Sequence, residues 1–131
     1  MKYQYFIASS SRNKEKIVEL TEKLRAKGKS VYSFIETNPL DKLISEEIQV
    51  KDWRNSEMNK FIFEKDMKPL NESETLILLL PAGKSGHIEA GVAYGLGKKC
   101  IFIGDPEETD SLYLIFEEDY PTIDEFISSL R

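Results

Sequence analysis

Apolar positions recur along the chain with two different spacings, and their order predicts strands that alternate with helices. Four short runs of β-branched, aromatic and other apolar residues predict strands at residues 2–8, 31–35, 75–80 and 100–104. The third run contains no charged residue, which is typical of a central strand buried on both faces of a parallel sheet. A fifth strand is predicted at residues 112–116.

Between these strands, apolar residues spaced three or four apart among charged residues predict helices. The predicted helices span residues 13–27, 53–70, 88–96 and 122–130. Gly28 and Gly97 stand where a glycine ends a helix, and Pro69 is predicted to close the second helix. Residues 37–52 are polar with weak periodicity, so we interpret them as a long loop with room for one helical turn.

The alternation of strands and helices predicts an α/β fold. We expect a single flavodoxin-like or Rossmann-like domain over residues 1–131. Its five-stranded, mainly parallel sheet has the order 2-1-3-4-5 and is flanked by helices. No internal repeat, low-complexity tract or linker divides the chain.

The amino-acid composition limits the kinds of ligand and partner that we expect this chain to bind. The net charge of −5 argues against nucleic acid as the main partner, although a local basic patch still suits a small phosphate. Cys100 is the only cysteine and lies in an apolar run, so we expect a buried thiol and no intramolecular disulfide. With a single histidine as well, neither a zinc site nor any cofactor is expected. No apolar run approaches the ~20 residues of a membrane helix, so we expect a cytoplasmic protein.

Ligands of such sheets bind outside the carboxyl ends of the strands, near the point where the strand order reverses. In the predicted order this point lies between the first and third strands. Two loops flank it, and their candidate ligand residues are Ser9, Ser10 and Arg12 in the first and Gly83 and Ser85 in the second. Each loop leads into a helix, whose free N–H groups favour a phosphate or carboxylate. The alternative is that the serines cap helices and the cations are solvated.

Glu89 is the candidate functional carboxylate. It follows Ser85 by four residues, within the first turn of the predicted helix, where it can simply stabilise the helix dipole. Its apolar and small neighbours favour a further role. His87 can donate to a substrate, orient Glu89 or serve structurally at the helix start. Trp53, beside the irregular loop, is a candidate to stack on a base, and the alternative is a core residue.

The run from Leu80 to Lys99 resembles the nucleoside 2-deoxyribosyltransferase-like superfamily, which includes 2′-deoxynucleoside 5′-monophosphate N-glycosidases. The matching residues are Glu89-Ala90-Gly91-Val92-Ala93 and Gly97-Lys98, together with the opening strand and its Ser-Ser-Ser-Arg turn. The resemblance implies that Glu89 is a nucleophile toward the anomeric carbon of a sugar and that Asp66 is its companion carboxylate. It also implies a small-molecule nucleoside or nucleotide substrate and a homodimer.

Some positions depart from that family. Ser73-Glu74-Thr75 replaces the aspartate that commonly begins the central strand, and His87 stands where a glycine is frequent. We also expect no counterpart of the long C-terminal extension of the transferases. The base, the sugar, and transfer as opposed to hydrolysis are therefore left open, and the alternative function is a non-catalytic nucleotide-binding or sensing module on the same fold.

Overall fold

The computed structural model describes residues 1–37 and 53–131 of the chain. The strands are β1 (Tyr3–Ala8), β2 (Val31–Ser33), β3 (Ser73–Leu79), β4 (Lys99–Ile103) and β5 (Glu118–Tyr120). The helices are α1 (Lys14–Ala26), α2 (Phe34–Thr37), α3 (Glu57–Asn71), α4 (Lys84–Gly95) and α5 (Ile123–Ser129). Short 3₁₀ helices lie at Ser11–Asn13, Trp53–Asn55 and Ser111–Ile115. The loop predicted for residues 37–52 falls outside the described residues from residue 38 onward.

The strands form a five-stranded sheet in the order β2-β1-β3-β4-β5, and every pair is parallel. In the register of β1 and β3, Phe6 lies beside Leu76 and Ile7 beside Ile77. The predicted α/β fold and its strand order are confirmed. Because all the carboxyl ends lie on one edge, the loops after β1, β3 and β4 meet there.

Helices cover both faces of the sheet, since β1, β3 and β4 are buried on both sides. On one face, α1 and α5 pack Ile17, Leu20 and Phe126 against the sheet. On the other face, α3 contributes Leu70 and α4 contributes Ala90 and Ala93 to a second core cluster. The helix that carries Glu89 therefore packs on the same face as the helix that carries Asp66.

Glycines lie at the ends of α1 and α4, as the sequence predicted. Gly28 and Gly97 follow α1 and α4 with φ of 77° and 79°, a backbone conformation that side chains with a Cβ rarely adopt. After α4, the amide of Lys98 donates to the carbonyl of Ala93 at 3.0 Å, which completes the helix end. At the start of α3, the Ser56 side chain accepts from the amide of Asn59.

The predicted fifth strand at residues 112–116 is wrong. These residues lie in and directly after the 3₁₀ helix Ser111–Ile115, and β5 follows it. The carboxylate of Asp110 accepts from the amide of Leu112 at 2.7 Å and so begins that helix. Tyr113 and Phe116 then pack against Phe102 of β4, which accounts for the apolar character of the run.

Three predicted boundaries also shift. Pro69 does not close α3, because it lies in the last turn, where its missing N–H removes only one main-chain bond and the helix continues to Asn71. The strand predicted to reach Ile35 ends at Ser33, since Phe34 begins α2. The helix predicted from Ile88 begins four residues earlier, at Lys84.

No helix among the described residues is both long enough and apolar enough to cross a membrane.

Candidate active site

The turn between β3 and α4 (residues 80–83) lies at the carboxyl edge of the sheet. It begins with a cis peptide bond between Leu80 and Pro81. Gly83 is the N-cap of α4, and as a glycine it has no side chain to cap the first amides of the helix. Lys84 and Ser85, the first two helical residues, are exposed. The turn therefore presents N–H donors and a cation toward solvent, a combination that suits an anion.

Ser9 and Asn13 hold this turn from the β1 side. The buried Ser9 hydroxyl donates to the Leu79 carbonyl at 2.7 Å and lies 3.4 Å from the Pro81 carbonyl. The Asn13 amide group donates to Ser9 Oγ at 3.2 Å and to the Leu80 carbonyl at 3.4 Å. The hydroxyl hydrogen of Ser9 is thus already used by main-chain carbonyls, so Ser9 joins the two predicted loops.

Gly86 brings the first turn of α4 against the same loop. A Cβ built at Gly86 lies 3.1 Å from Leu78 Cδ1, 3.3 Å from Ala82 Cβ and 3.6 Å from the main-chain nitrogen of Ser9. Only glycine fits this spacing without displacement of a neighbour. The loops predicted to flank the ligand site are therefore in contact.

Ser10 and Arg12 lie at the outer side of the β1 loop. Ser10 Oγ accepts from the amide of Arg12 at 3.2 Å and caps the 3₁₀ helix, as the capping alternative predicted. The same hydroxyl still has a hydrogen to donate. Arg12 is exposed, and its guanidinium forms no ion pair with residues 1–37 or 53–131.

Glu89 is half-buried in the second turn of α4, not in the first turn that the sequence predicted. Since α4 begins at Lys84, five helical residues precede Glu89. The stabilisation of a carboxylate by the helix dipole falls off beyond the first turn. The helix dipole therefore stabilises the Glu89 carboxylate less than its predicted place in the first turn suggested.

His87 and Glu89 leave α4 on opposite flanks. They are two residues apart, which in an α-helix is a rotation of about 200°. Gly86, Ala90 and Ala93 mark the side that faces the sheet. His87 contacts Tyr113 on the β4 side, so the flank of Glu89 is the one toward β1 and α3.

Both ring nitrogens of His87 are hydrogen-bonded. Nδ1 lies 2.9 Å from the carbonyl of Gly83, and Nε2 lies 2.8 Å from the hydroxyl of Tyr113. A carbonyl only accepts, so Nδ1 carries a hydrogen, and in the tautomer with its single hydrogen there Nε2 accepts the Tyr113 hydrogen. Burial, with the Asp110 carboxylate as a second cause, raises the pKa of Tyr113 and keeps its hydroxyl protonated at neutral pH.

Asp66 and Trp53 lie on the segment that enters β3. Asp66 is half-buried on α3, one helical turn before the core residue Leu70. Trp53 is 51% exposed at the start of the segment, and the Arg54 guanidinium lies 4.6 Å from its ring centre. It is therefore no core residue.

A cleft of about 900 Å³ opens at the carboxyl edge between the loops after β3 and β4. Its lining residues are Lys16, Leu80, Pro81, Ala82, His87, residues 104–110, Tyr113 and Pro121. His87 is the one predicted site residue among them. Neither Glu89 nor Asp66 lines this cleft, which agrees with the opposite flank assigned to Glu89. Within the described ranges, no group of three or more acidic, His or Cys side chains is placed to hold a metal ion.

Comparison with solved structures shows which fold this chain has. A 2-deoxyribosyltransferase from Bacillus psychrosaccharolyticus superposes with a TM-score of 0.72 at 15% identity, covering 96% of this chain and 91% of its own. The chain has a nucleoside 2-deoxyribosyltransferase-like fold. A CMP N-glycosidase from Clostridium botulinum, BcmB, superposes with a TM-score of 0.54 at 20% identity, covering 95% of each chain. The sequence matches neither a model of a known protein family nor a curated protein.

In this deoxyribosyltransferase-like fold, sequence reasoning missed the residues that fix the site. Asn13 was assigned only to a predicted helix start, and Tyr113 to a strand. Asn13 follows Ser9 by four residues, a spacing that would have suggested contact across a short 3₁₀ turn. For Tyr113 the sequence carries no comparable signal, since its partner His87 is 26 residues away.

Proposed function

We propose that this chain cleaves the N-glycosidic bond of a deoxynucleoside, a nucleoside or a nucleoside 5′-monophosphate, or transfers the sugar, with Glu89 as the nucleophile. The observation that carries the proposal is the setting of Glu89. It is a half-buried carboxylate beyond the first turn of α4. The fold around it is shared with a 2-deoxyribosyltransferase and a CMP N-glycosidase. The Glu-Ala-Gly-Val-Ala and Gly-Lys residues that resemble the family signature support the same assignment.

The reaction has two steps at the anomeric carbon. In the first, an oxygen of Glu89 bonds to C1′ while the C1′–N bond breaks, and the electron pair leaves with the base. An acid gives the departing nitrogen a proton. In the second, water or a nitrogen of another base attacks C1′ and releases Glu89. The acid, now a base, takes the proton of the attacking group.

Asp66 is the acid in this proposal. It is half-buried, and it precedes Leu70 by one helical turn on the same side of α3. Leu70 packs in the same core cluster as Ala90 and Ala93, which flank the sheet-facing side of α4. This packing supports an approach of α3 to the flank of α4 that carries Glu89.

The remaining groups bind the substrate. Exposed Arg12 and Ser85 and the uncapped amides after Gly83 suit a 5′-phosphate or sugar hydroxyls. Ser10 donates its remaining hydroxyl hydrogen beside them. Trp53 offers an exposed ring to a base.

The test measures base release by chromatography from a panel of nucleosides, deoxynucleosides and their 5′-monophosphates. We expect release from at least one substrate and a loss of about a thousandfold or more in Glu89→Gln. Glu22→Gln, an exposed carboxylate on α1, is the matched control and keeps full activity. Asp66→Asn loses about a hundredfold or more.

A covalent intermediate gives a second, independent measurement. Trypsin cuts after Lys84 and Lys98, so one peptide holds Glu89 as its only side-chain carboxylate. Acid-quenched enzyme at steady state should contain this peptide with the added mass of the sugar. Ligand binding without base release across the whole panel would refute the catalytic proposal and favour the nucleotide-binding module.

A further inference from the structure

We propose that Tyr113 is a positioning residue of this site, acting through His87 to fix the turn from which α4 begins. The inference rests on the proposed function for its effect on substrate, but the tether itself is a property of the free protein. The resemblance implied no such residue, because His87 stands where the family frequently has glycine.

The tether begins at Tyr113, which is itself held firmly. Its amide donates to the Asp110 carbonyl at 3.1 Å, and its carbonyl accepts from the amide of Phe116 at 3.1 Å. Its ring lies 5.5 Å from the ring of Phe102 on β4 and 5.3 Å from that of Phe116. The hydroxyl therefore projects from a packed aromatic cluster that is anchored to the sheet.

His87 carries this anchorage to the turn. Its Nε2 bonds to the Tyr113 hydroxyl at 2.8 Å and its Nδ1 to the Gly83 carbonyl at 2.9 Å. The His87 amide also donates to the Gly83 carbonyl at 3.3 Å. Gly83 has no side chain of its own for tertiary contact, so its position depends on these bonds.

The turn is thus held from two sides. From the β1 loop, Asn13 binds the Leu80 carbonyl and Ser9 contacts the Pro81 carbonyl. From the other side, Tyr113 holds the Gly83 carbonyl through His87. The exposed residues Lys84 and Ser85 directly follow the part held by His87. Because these residues and the first amides of α4 face the proposed ligand, loss of the Tyr113 bond should loosen substrate binding more than it slows the chemical step.

The experiment compares Tyr113→Phe with Tyr120→Phe. Both variants lose one tyrosine hydroxyl that is hydrogen-bonded, since Tyr120 donates to Glu118 at 2.6 Å on β5, away from the turn. In Tyr113→Phe we expect amide hydrogen exchange at residues 87–89 to rise two- to tenfold, as one net hydrogen bond predicts. We expect KM to rise two- to tenfold with kcat changed less than twofold. Tyr120→Phe should leave the exchange at residues 87–89, KM and kcat all unchanged.

A double-mutant cycle with His87→Gln tests the route through His87. Since both single changes break the bond between His87 and Tyr113, the double variant should bind substrate no more weakly than the worse single variant. Additive effects would overturn the inference. So would unchanged exchange at residues 87–89, or faster exchange without a change in KM. If no variant and no wild-type sample releases base, the proposed function fails. The exchange data then still decide whether the tether exists.

Discussion

Gly86→Ala is the most direct test of the close packing of α4 against β3 and the turn that follows it. In an exposed helix position, alanine in place of glycine stabilises by about 0.5–1 kcal/mol. At Gly86 the new methyl group would lie 3.1 Å from Leu78 Cδ1 and 3.3 Å from Ala82 Cβ. Leu78 is fully buried, so its side chain has little room to yield. Overpacking of this kind costs about 1–3 kcal/mol. We expect a net loss of up to about 2 kcal/mol.

Gly91→Ala is the matched control, because nothing lies within 4 Å of a Cβ built there in the same helix. It should stabilise, so the two variants should differ by about 1–3 kcal/mol in the free energy of unfolding. For 131 residues, 1 kcal/mol corresponds to about 4 °C in Tm. Urea unfolding with equal m-values and a thermal scan measure the difference. Equal stabilisation by both substitutions would refute the close contact of Gly86 with Leu78 and Ala82.

Two further predictions concern Ser9 and Cys100. Ser9→Ala removes the donor to the buried Leu79 carbonyl and should lower the free energy of unfolding, measured by urea unfolding, by about 1–2 kcal/mol. The control Ser11→Ala, at an exposed serine, should leave it unchanged. A change under about 0.5 kcal/mol in Ser9→Ala would contradict the assigned bond. Burial raises the pKa of the Cys100 thiol from 9.0 to about 11. The folded thiol then keeps a proton that the unfolded chain loses, so stability falls by about 2–3 kcal/mol as the pH rises from 9 to 11. Cys100→Ala should lack this part of the alkaline loss, and an identical pH dependence of the two proteins would refute it.

The fold could be predicted because its buried strands contain continuous apolar runs. Residues 75–80 can only be satisfied inside a sheet with helices on both faces, and β3 lies there. The fifth strand was predicted at the wrong residues because the actual strand, β5, is charged and therefore lacks an apolar run. Glu118–Tyr120 carries charge because it pairs on one side only, with Lys99 of β4 bound to Glu118. The apolar residues before β5 pack in a 3₁₀ helix. A run as short as this shows no periodicity that distinguishes a 3₁₀ helix from a strand.

For the site, the sequence located the loops but not the contacts within them. The meeting of the β1 loop with the start of α4 follows from strand order, and Ser9 confirms that the loops touch. The two-sided hydrogen bonding of His87 depends on Tyr113, which is distant in sequence and was assigned to the wrong element. The pairing of Glu89 with Asp66, the homodimer, the single domain over residues 1–131 and the cytoplasmic location stay predictions.

The acidic strand β5 has a consequence for how copies of this chain meet in solution. It is an outermost strand of the described sheet, and its outer edge carries main-chain donors and acceptors that another strand would bind. Asp119 is exposed at its centre, and Glu117 and Glu118 precede it. Two such edges brought side by side would place like charges against each other. These carboxylates, which also deprive β5 of an apolar strand pattern, therefore disfavour pairing of the sheet edge with that of another molecule. We expect them to reduce edge-to-edge association at high concentration.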